Sequence, residues 1–325
     1  MNLFAAIDFI QSHNDFLLAA HRSPDGDTLG SCLALRLALL ALGKTVTVAC
    51  VDPVPPYLAF LPGAKTVTAH PDHVPEAAIY IDCADHSRIA ELEVVTEAAP
   101  YRFCIDHHGT NPKRTKDGDW VEEVGATAEM IERLIVELLV PLTKDMAICL
   151  FTGIATDTGN FAYSNTTPDT FRIAAELVEA GIELPELNRR LFRTMPVRKG
   201  RLIAHTLQTM ELYENESVAV ACVTKADLDR CGADEADCEG LIDYLRDLAP
   251  VEIACTLRES ADGFIRGSLR AKQGADVSVV AQQFRGGGHV RAAGCTLDGP
   301  MESAKAQIVP ALIEAVKQWK ASLPS

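Results

Sequence analysis

Two short apolar runs, AIYID at 78–82 and RFCID at 102–106, each end on an aspartate. Runs of this length, built from β-branched and aromatic residues, read as buried strands. An acid at the end of a buried strand is a strong constraint, because ligands of open α/β sheets gather beyond the carboxyl ends of the strands. The neighbouring segments fit the same plan: FLLAAH (16–21) reads as a strand, TLGSCLALRLALLALG (28–43) as a helix closed by Gly43, and TVTVACV (45–51) as the next strand. GATAEMIERLIVELLVPL (125–142) and DMAICLFTGIAT (145–156) follow as helices. Strands alternating with helices predict an α/β fold whose N-terminal sheet is mostly parallel, with helices on both faces.

The pattern restarts near residue 216 with the strand SVAVACV, a helical stretch near 235–248, paired strands VEIACTL and FIRGSLRA around Asp262-Gly263, the helix DVSVVAQQF and a last helix over 302–320. Between the halves, the basic stretch 188–214 has few turn signals and reads as a helical connector. A chain of 325 residues suits two cores better than one. The expected division is therefore a first α/β domain over 1–187, the connector over 188–214 and a smaller α/β domain over 215–325. No apolar run reaches the length of a membrane span, and the N-terminal stretch has no basic leader and carries Asp8, so a soluble cytoplasmic protein without a membrane partner is expected. The net charge of −15 argues against charge-driven binding of long duplex nucleic acid. The ten cysteines form no CxxC pair and are expected to be buried free thiols.

Four segments, distant in sequence, place acids or imidazoles where a strand or helix ends. HRSPDGDTLGS offers His21, Asp25 and Asp27; IDCADHSR offers Asp82 and Asp85; IDHHGTN offers Asp106, His107 and His108; and GIATDTGNF offers Asp157 inside an otherwise apolar helical stretch. Taken singly, an aspartate beside a helix start is an ordinary cap. Taken together, carboxylates and imidazoles without cysteine describe a hard, oxygen-rich binuclear metal site of the Mn or Mg type. Asp25, Asp27, Asp82 and Asp157 carry four negative charges, which two divalent ions balance and one does not. Two such ions can activate a bridging water and clamp a phosphoryl displacement. Thr127 lies within reach of the site but is not assigned to it, and His13, His70, His73, His86 and His205 read as surface or structural.

These motifs resemble the DHH phosphoesterases, named for the sequence that stands here as Asp106-His107-His108. The resemblance extends along the chain, because GGGHVRAAG (286–294) is similar to the signature of the DHH-associated C-terminal domain. It implies that His21, Asp25, Asp27, Asp82, His107 and Asp157 are metal ligands, with Asp82 bridging two ions. Mn is the expected metal, with Mg, Co or Fe as alternatives. It also implies that Asp106 orients the neighbouring histidine and that His108 faces the substrate phosphate and assists the leaving group.

Between Phe264 and Gly294 the chain holds Arg266, Arg270, Lys272, Arg285 and Arg291 against one acid, Asp276. Three consecutive glycines there let a backbone approach a ligand closely. The resemblance assigns the grip on the terminal nucleotide to Ser268, Arg270, Gly287, Gly288, His289 and Arg291. One phosphate on the metals and one in this basic pocket define a cleft of about one nucleotide. The compact two-domain layout resembles the nanoRNase and pAp-phosphatase branch, which implies hydrolysis of short RNA and dinucleotides such as pApA and pGpG to monomers, and of pAp to AMP, by attack of a metal-bridging hydroxide. Cyclic di-AMP hydrolysis and a non-catalytic nucleotide sensor are the alternatives. A DNA exonuclease would need a further domain, and a pyrophosphatase would lack the GGGH pocket. A homodimer is compatible with this reading.

Overall fold

The computed structural model describes residues 3–112 and 115–323. The chain divides into two compact units, Met1–Thr194 and Met195–Ser325.

The first unit is built on a fully parallel sheet of β1 (Asp15–Ala19), β2 (Thr45–Ala49), β3 (Ala77–Ile81), β4 (Tyr101–Asp106) and β5 (Asp119–Val121), in the order β2-β1-β3-β4-β5. Because successive side chains of a strand point to opposite faces, each strand feeds two cores. Phe16, Leu18, Ala77, Ile79, Phe103 and Ile105 enter the larger core. Leu17, Ala19, Ala78, Tyr80 and Cys104 enter a thinner one on the other face.

Helices α1 (Leu3–Ser12) and α2 (Gly26–Ala41) line the larger core, whereas α3 (Glu93–Ala98) and the 3-10 turn before it cover the thinner face. Helices α4 (Thr127–Glu137), α5 (Lys144–Asp157), α6 (Pro168–Glu179) and α7 (Leu184–Phe192) complete the larger side. α2 and α5 meet almost backbone to backbone, since a β-carbon on Gly30 would lie 2.3 Å from the Cys149 carbonyl oxygen. Strand order sets the position of the site. β1 is flanked by β2 and β3, so the chain leaves it first to one side and then to the other, and the residues beyond β1 and β3 stand at the topological switch point. Those residues include His21 and Asp82.

The second unit carries α8 (Val197–Thr209) and a mixed sheet of β6 (Glu211–Tyr213), β7 (Val218–Val223), β8 (Ile253–Glu259), β9 (Phe264–Ala271), β10 (Gly287–His289) and β11 (Ala292–Asp298), ordered β10-β11-β9-β8-β7-β6. Within this sheet only the β7–β8 pairing is parallel. α9 (Lys225–Cys231), α10 (Leu241–Arg246), α11 (Val277–Gln282) and α12 (Met301–Ser322) complete it, and Ile308, Leu312 and Val316 of α12 pack on Val218, Val220, Ile253 and Leu269 of the sheet.

Two expected helical stretches are interrupted. The stretch 188–214 is not one connector helix: α7 ends at Phe192, Pro196 caps the start of α8, and the segment finishes as the edge strand β6. Proline lacks the N–H that a continuing helix needs. The stretch near 235–248 is split at Gly240, whose left-handed φ of 78° separates a short 3-10 turn from α10. All ten cysteines are free, and eight of them are buried. Among the described residues no helix is long and apolar enough to cross a membrane.

Candidate metal centre

His21 follows β1 and is 2% exposed. Its Nδ1 donates to the Arg22 carbonyl at 2.8 Å, which leaves the Nε2 lone pair facing Asp82 at 3.6 Å and Asp25 at 3.8 Å. Asp25 is the N-cap of α2: one oxygen accepts the Thr28 amide at 3.0 Å, and the other faces His21.

Asp27, in the first turn of α2, is 1% exposed and reaches across to α4. Its carboxylate accepts the backbone amides of Thr127 at 2.7 Å and Ala128 at 2.9 Å. α4 has no side-chain cap from its own N-cap residue, so Asp27 supplies one from another helix. Gly153 makes this approach possible, because a β-carbon there would lie 2.9 Å from Asp27 Oδ1.

Asp82 follows β3 in the left-handed region, with φ 56°. Its two oxygens accept hydroxyl hydrogen bonds from Thr28 at 2.7 Å and Thr127 at 3.0 Å. Nitrogens of three imidazoles, His21 Nε2, His107 Nε2 and His108 Nδ1, each lie 3.6 Å from it. His107 follows β4; its Nδ1 donates to the Val124 carbonyl at 3.1 Å, and its Nε2 faces Asp157 at 3.5 Å and Asp27 at 4.0 Å. Asp106 is fully buried, and its carboxylate accepts from His108 Nδ1 at 2.8 Å and from the Asn111 amide at 2.7 Å. His108, 39% exposed, is therefore the histidine that Asp106 orients.

The fold thus brings together all eight first-domain residues expected at the site. Asp85 is exposed and joins none of the three groups that could hold a metal ion. Those groups are His21, Asp25 and Asp82; Asp27, His107 and Asp157; and Asp82, His107 and His108. Thr28 and Thr127 belong to the site as hydrogen-bond donors. The sequence offered little to distinguish these threonines at helix starts from ordinary core residues.

The electrostatics show what the donors lack. Burial raises Asp27 well above the usual carboxylate range, and Asp82, Asp157 and Asp25 push it further. Asp157 is raised to about 6 by burial, a shift eased by His107 and increased by Asp82 and Asp25. Asp82 is held below its usual value although burial opposes this, because His21 lies beside it, the Thr28 hydroxyl donates to it and His107 and His108 lie near. Among the described residues, the ion-pair partners of these four aspartates are histidines alone. Clustered carboxylates and imidazole nitrogens, charged beyond what three histidines compensate, fit divalent cations of the oxygen- and nitrogen-binding kind.

In the second unit, Arg266, Ser268 and Arg270 alternate along β9 with the buried Ile265, Leu269 and Ala271. The register sets Ser268 opposite Gly294, which pairs with Gly287, and Arg270 opposite Ala292, which pairs with His289. Ser268 and Arg270 therefore share a face, with the glycine-histidine strand two places across the sheet. Of the three glycines, Gly286 and Gly288 serve packing, since β-carbons there would lie 2.1 Å from the Gly294 oxygen and 2.5 Å from the Ala292 oxygen. Gly287 faces open space. Arg266 is paired with Asp262 and Arg285 with Asp298, so Arg270, Lys272 and Arg291 are the local cations with no acidic partner among the described residues, Arg270 donating to the Leu269 carbonyl and Lys272 to the Leu248 carbonyl.

Residues 15–154 match the N-terminal domain of the DHH family, and residues 215–322 match the DHHA1 domain. The chain is 35% identical over 301 residues to the bifunctional oligoribonuclease and PAP phosphatase NrnA of Thermus thermophilus, covering 91% of this chain and 89% of that protein. It is 27% identical to the Bacillus subtilis protein of the same name, covering 89% of this chain and 91% of that one. The crystal structure of an exopolyphosphatase-related protein from Bacteroides fragilis superposes with a TM-score of 0.90 at 26% identity, over 98% of this chain and 96% of that one. With its strand-end acids gathered at one switch point and both domain signatures in order, the chain belongs to the DHH family, a DHH domain followed by a DHHA1 domain.

Proposed function

We propose that this protein is a metal-dependent phosphoric ester hydrolase that cleaves short 5′-phosphorylated oligonucleotides such as pApA and pGpG to mononucleotides and converts pAp to AMP. The observation that carries this reading is the surround of Asp82, a buried carboxylate with imidazole nitrogens of His21, His107 and His108 each at 3.6 Å. The oligoribonuclease and PAP phosphatase names of the similar proteins support the substrate class.

His21, Asp25, Asp27, Asp82, His107 and Asp157 would hold two divalent ions, with Asp82 shared. When bound, such ions supply Lewis-acid charge that activates water and neutralises phosphate oxygens. The protein's own groups do the rest. Thr28 and Thr127 fix both oxygens of Asp82, so the ligand is preorganised. Asp106 holds the Nδ1 proton of His108 and leaves Nε2 as the nitrogen that hydrogen-bonds the scissile phosphate and gives a proton to the departing 3′-oxygen. Cleavage of pApA and of pAp breaks the same kind of bond, between phosphorus and a 3′-oxygen. One constellation therefore serves both substrates. Arg270, His289, Arg291 and the open backbone at Gly287 are assigned to the phosphate that is not cleaved.

Incubation with Mn and, in parallel, pApA, pAp, cyclic di-AMP and pyrophosphate tests this reading by chromatography of the products. AMP from pApA and pAp is expected. Cleavage of pyrophosphate alone would overturn the role assigned to the second unit, and binding without cleavage would make the protein a sensor.

A further inference from the structure

We propose that Tyr163 is the platform on which a base of the substrate stacks, an inference that rests on the nucleotide-hydrolase reading above. Helix α5 ends at Asp157, whose carboxylate is 3.5 Å from His107. The chain does not leave the site there. The amides of Ala162 and Tyr163 return to the Thr158 carbonyl at 3.0 and 2.9 Å, and the Phe161 amide donates to the Thr158 hydroxyl at 3.1 Å. The Asn165 side chain donates to the carbonyls of Asp157 at 3.2 Å and Gly125 at 2.8 Å. Tyr163 is thereby fixed within one tight loop of the acidic cluster.

That loop has an expensive backbone. Gly159, Asn160 and Phe161 follow one another in the left-handed region, with φ of 58°, 57° and 64°. Glycine and asparagine tolerate this conformation, but phenylalanine does not adopt it without compensation. Ring contacts of Phe161 with Phe151 at 5.8 Å and Phe171 at 5.4 Å hold it in place. Strain of this kind persists where the surroundings over-determine it, and it clusters at functional sites. Here it lays the Tyr163 ring over Gly159, where a β-carbon would lie 2.4 Å from the ring, yet leaves Tyr163 55% exposed. An aromatic ring that is held on glycine and open to solvent, close in the chain to a candidate phosphate centre, matches the flat face of a nucleobase. Stacking accepts any base, so this residue distinguishes nucleotides from bare phosphate esters without reading sequence.

The test compares kcat/KM of the full-length protein in Mn on pApA and pAp and on the abasic counterpart of each, which keeps the ribose and phosphates. The ratio of nucleotide to abasic substrate should fall about ten- to a hundredfold in Tyr163→Ala. Tyr163→Leu, which keeps contact with Gly159 but has no ring, should fall with it, whereas Tyr163→Phe should keep the wild-type ratio. A ratio unchanged in both Tyr163→Ala and Tyr163→Leu overturns the proposal. If the wild-type protein hydrolyses none of these compounds, the hydrolase reading fails first and this inference with it.

Discussion

The carboxylate of Asp27 accepts the backbone amide of Thr127 at 2.7 Å across 100 residues of chain. A candidate metal ligand is therefore also the cap of a helix that has none of its own. Ligand loss and fold loss coincide at this residue. They separate at Asp157, whose carboxylate has His107 as its ion-pair partner and caps no helix among the described residues.

Melting of the metal-free protein should expose that difference. Asp27→Ala leaves two buried amides without an acceptor and is expected to cost about 1–3 kcal/mol, a fall of a few degrees. Asp157→Ala removes a carboxylate that burial raises to about 6 and is expected to leave the melting temperature unchanged or higher at pH 8. Equal falls in both variants would contradict the cap.

Metal should stabilise the fold by mass action. Mn at about a hundred times its dissociation constant is expected to add about 3 kcal/mol to the first unit. Scanning calorimetry with Mn and with chelator measures this, and Asp82→Asn should abolish most of the difference. A Mn response that Asp82→Asn leaves intact would place the metal elsewhere.

His108 and Arg291 should fail in different ways. Asp106→Asn disturbs the orientation of His108 and should lower kcat by about a hundredfold or more with KM little changed. Arg291→Ala should chiefly raise KM, because its contact is present in both the ground and transition states. Steady-state kinetics on pApA separates the two patterns. A rise in KM for Asp106→Asn and a fall in kcat for Arg291→Ala would contradict both roles.

Glu132 of α4 supplies a pH signature away from the metal centre. Burial, with Glu176 adding, raises its carboxyl from 4.5 to about 7. The folded protein therefore keeps this proton up to about pH 7, while the unfolded chain releases it near 4.5. The group's contribution is fullest below pH 4.5 and is lost as the pH rises through 7. Glu132→Gln should stabilise the protein at pH 8 by on the order of 2 kcal/mol and by almost nothing near pH 4.5. Denaturant melts at the two pH values check this, and a benefit that did not grow with pH would contradict it.

What the sequence disclosed follows from what neighbours in sequence can encode. Asp82 and Asp106 were legible because a buried strand that ends on an acid leaves its mark within about five residues. Thr28 and Thr127 were not, since their hydroxyls acquire meaning only when α2 and α4 converge on Asp82. The basic count around β9 overstated the pocket, because Asp262 and Asp298 lie outside that window and pair with Arg266 and Arg285. The break at Pro196 was legible in the proline itself, whereas the strand β6 was hidden because this edge strand is three residues long and its partner β7 supplies the pairing.

If the acids gathered at the switch point perform the hydrolysis, removing Asp157 must stop it. AMP released from pApA in saturating Mn, followed for wild type and Asp157→Ala at equal folded concentration, decides the matter. Steady AMP formation by the wild type and none above background by the variant is expected. Turnover by Asp157→Ala near the wild-type rate would contradict the assignment of these acids to the reaction.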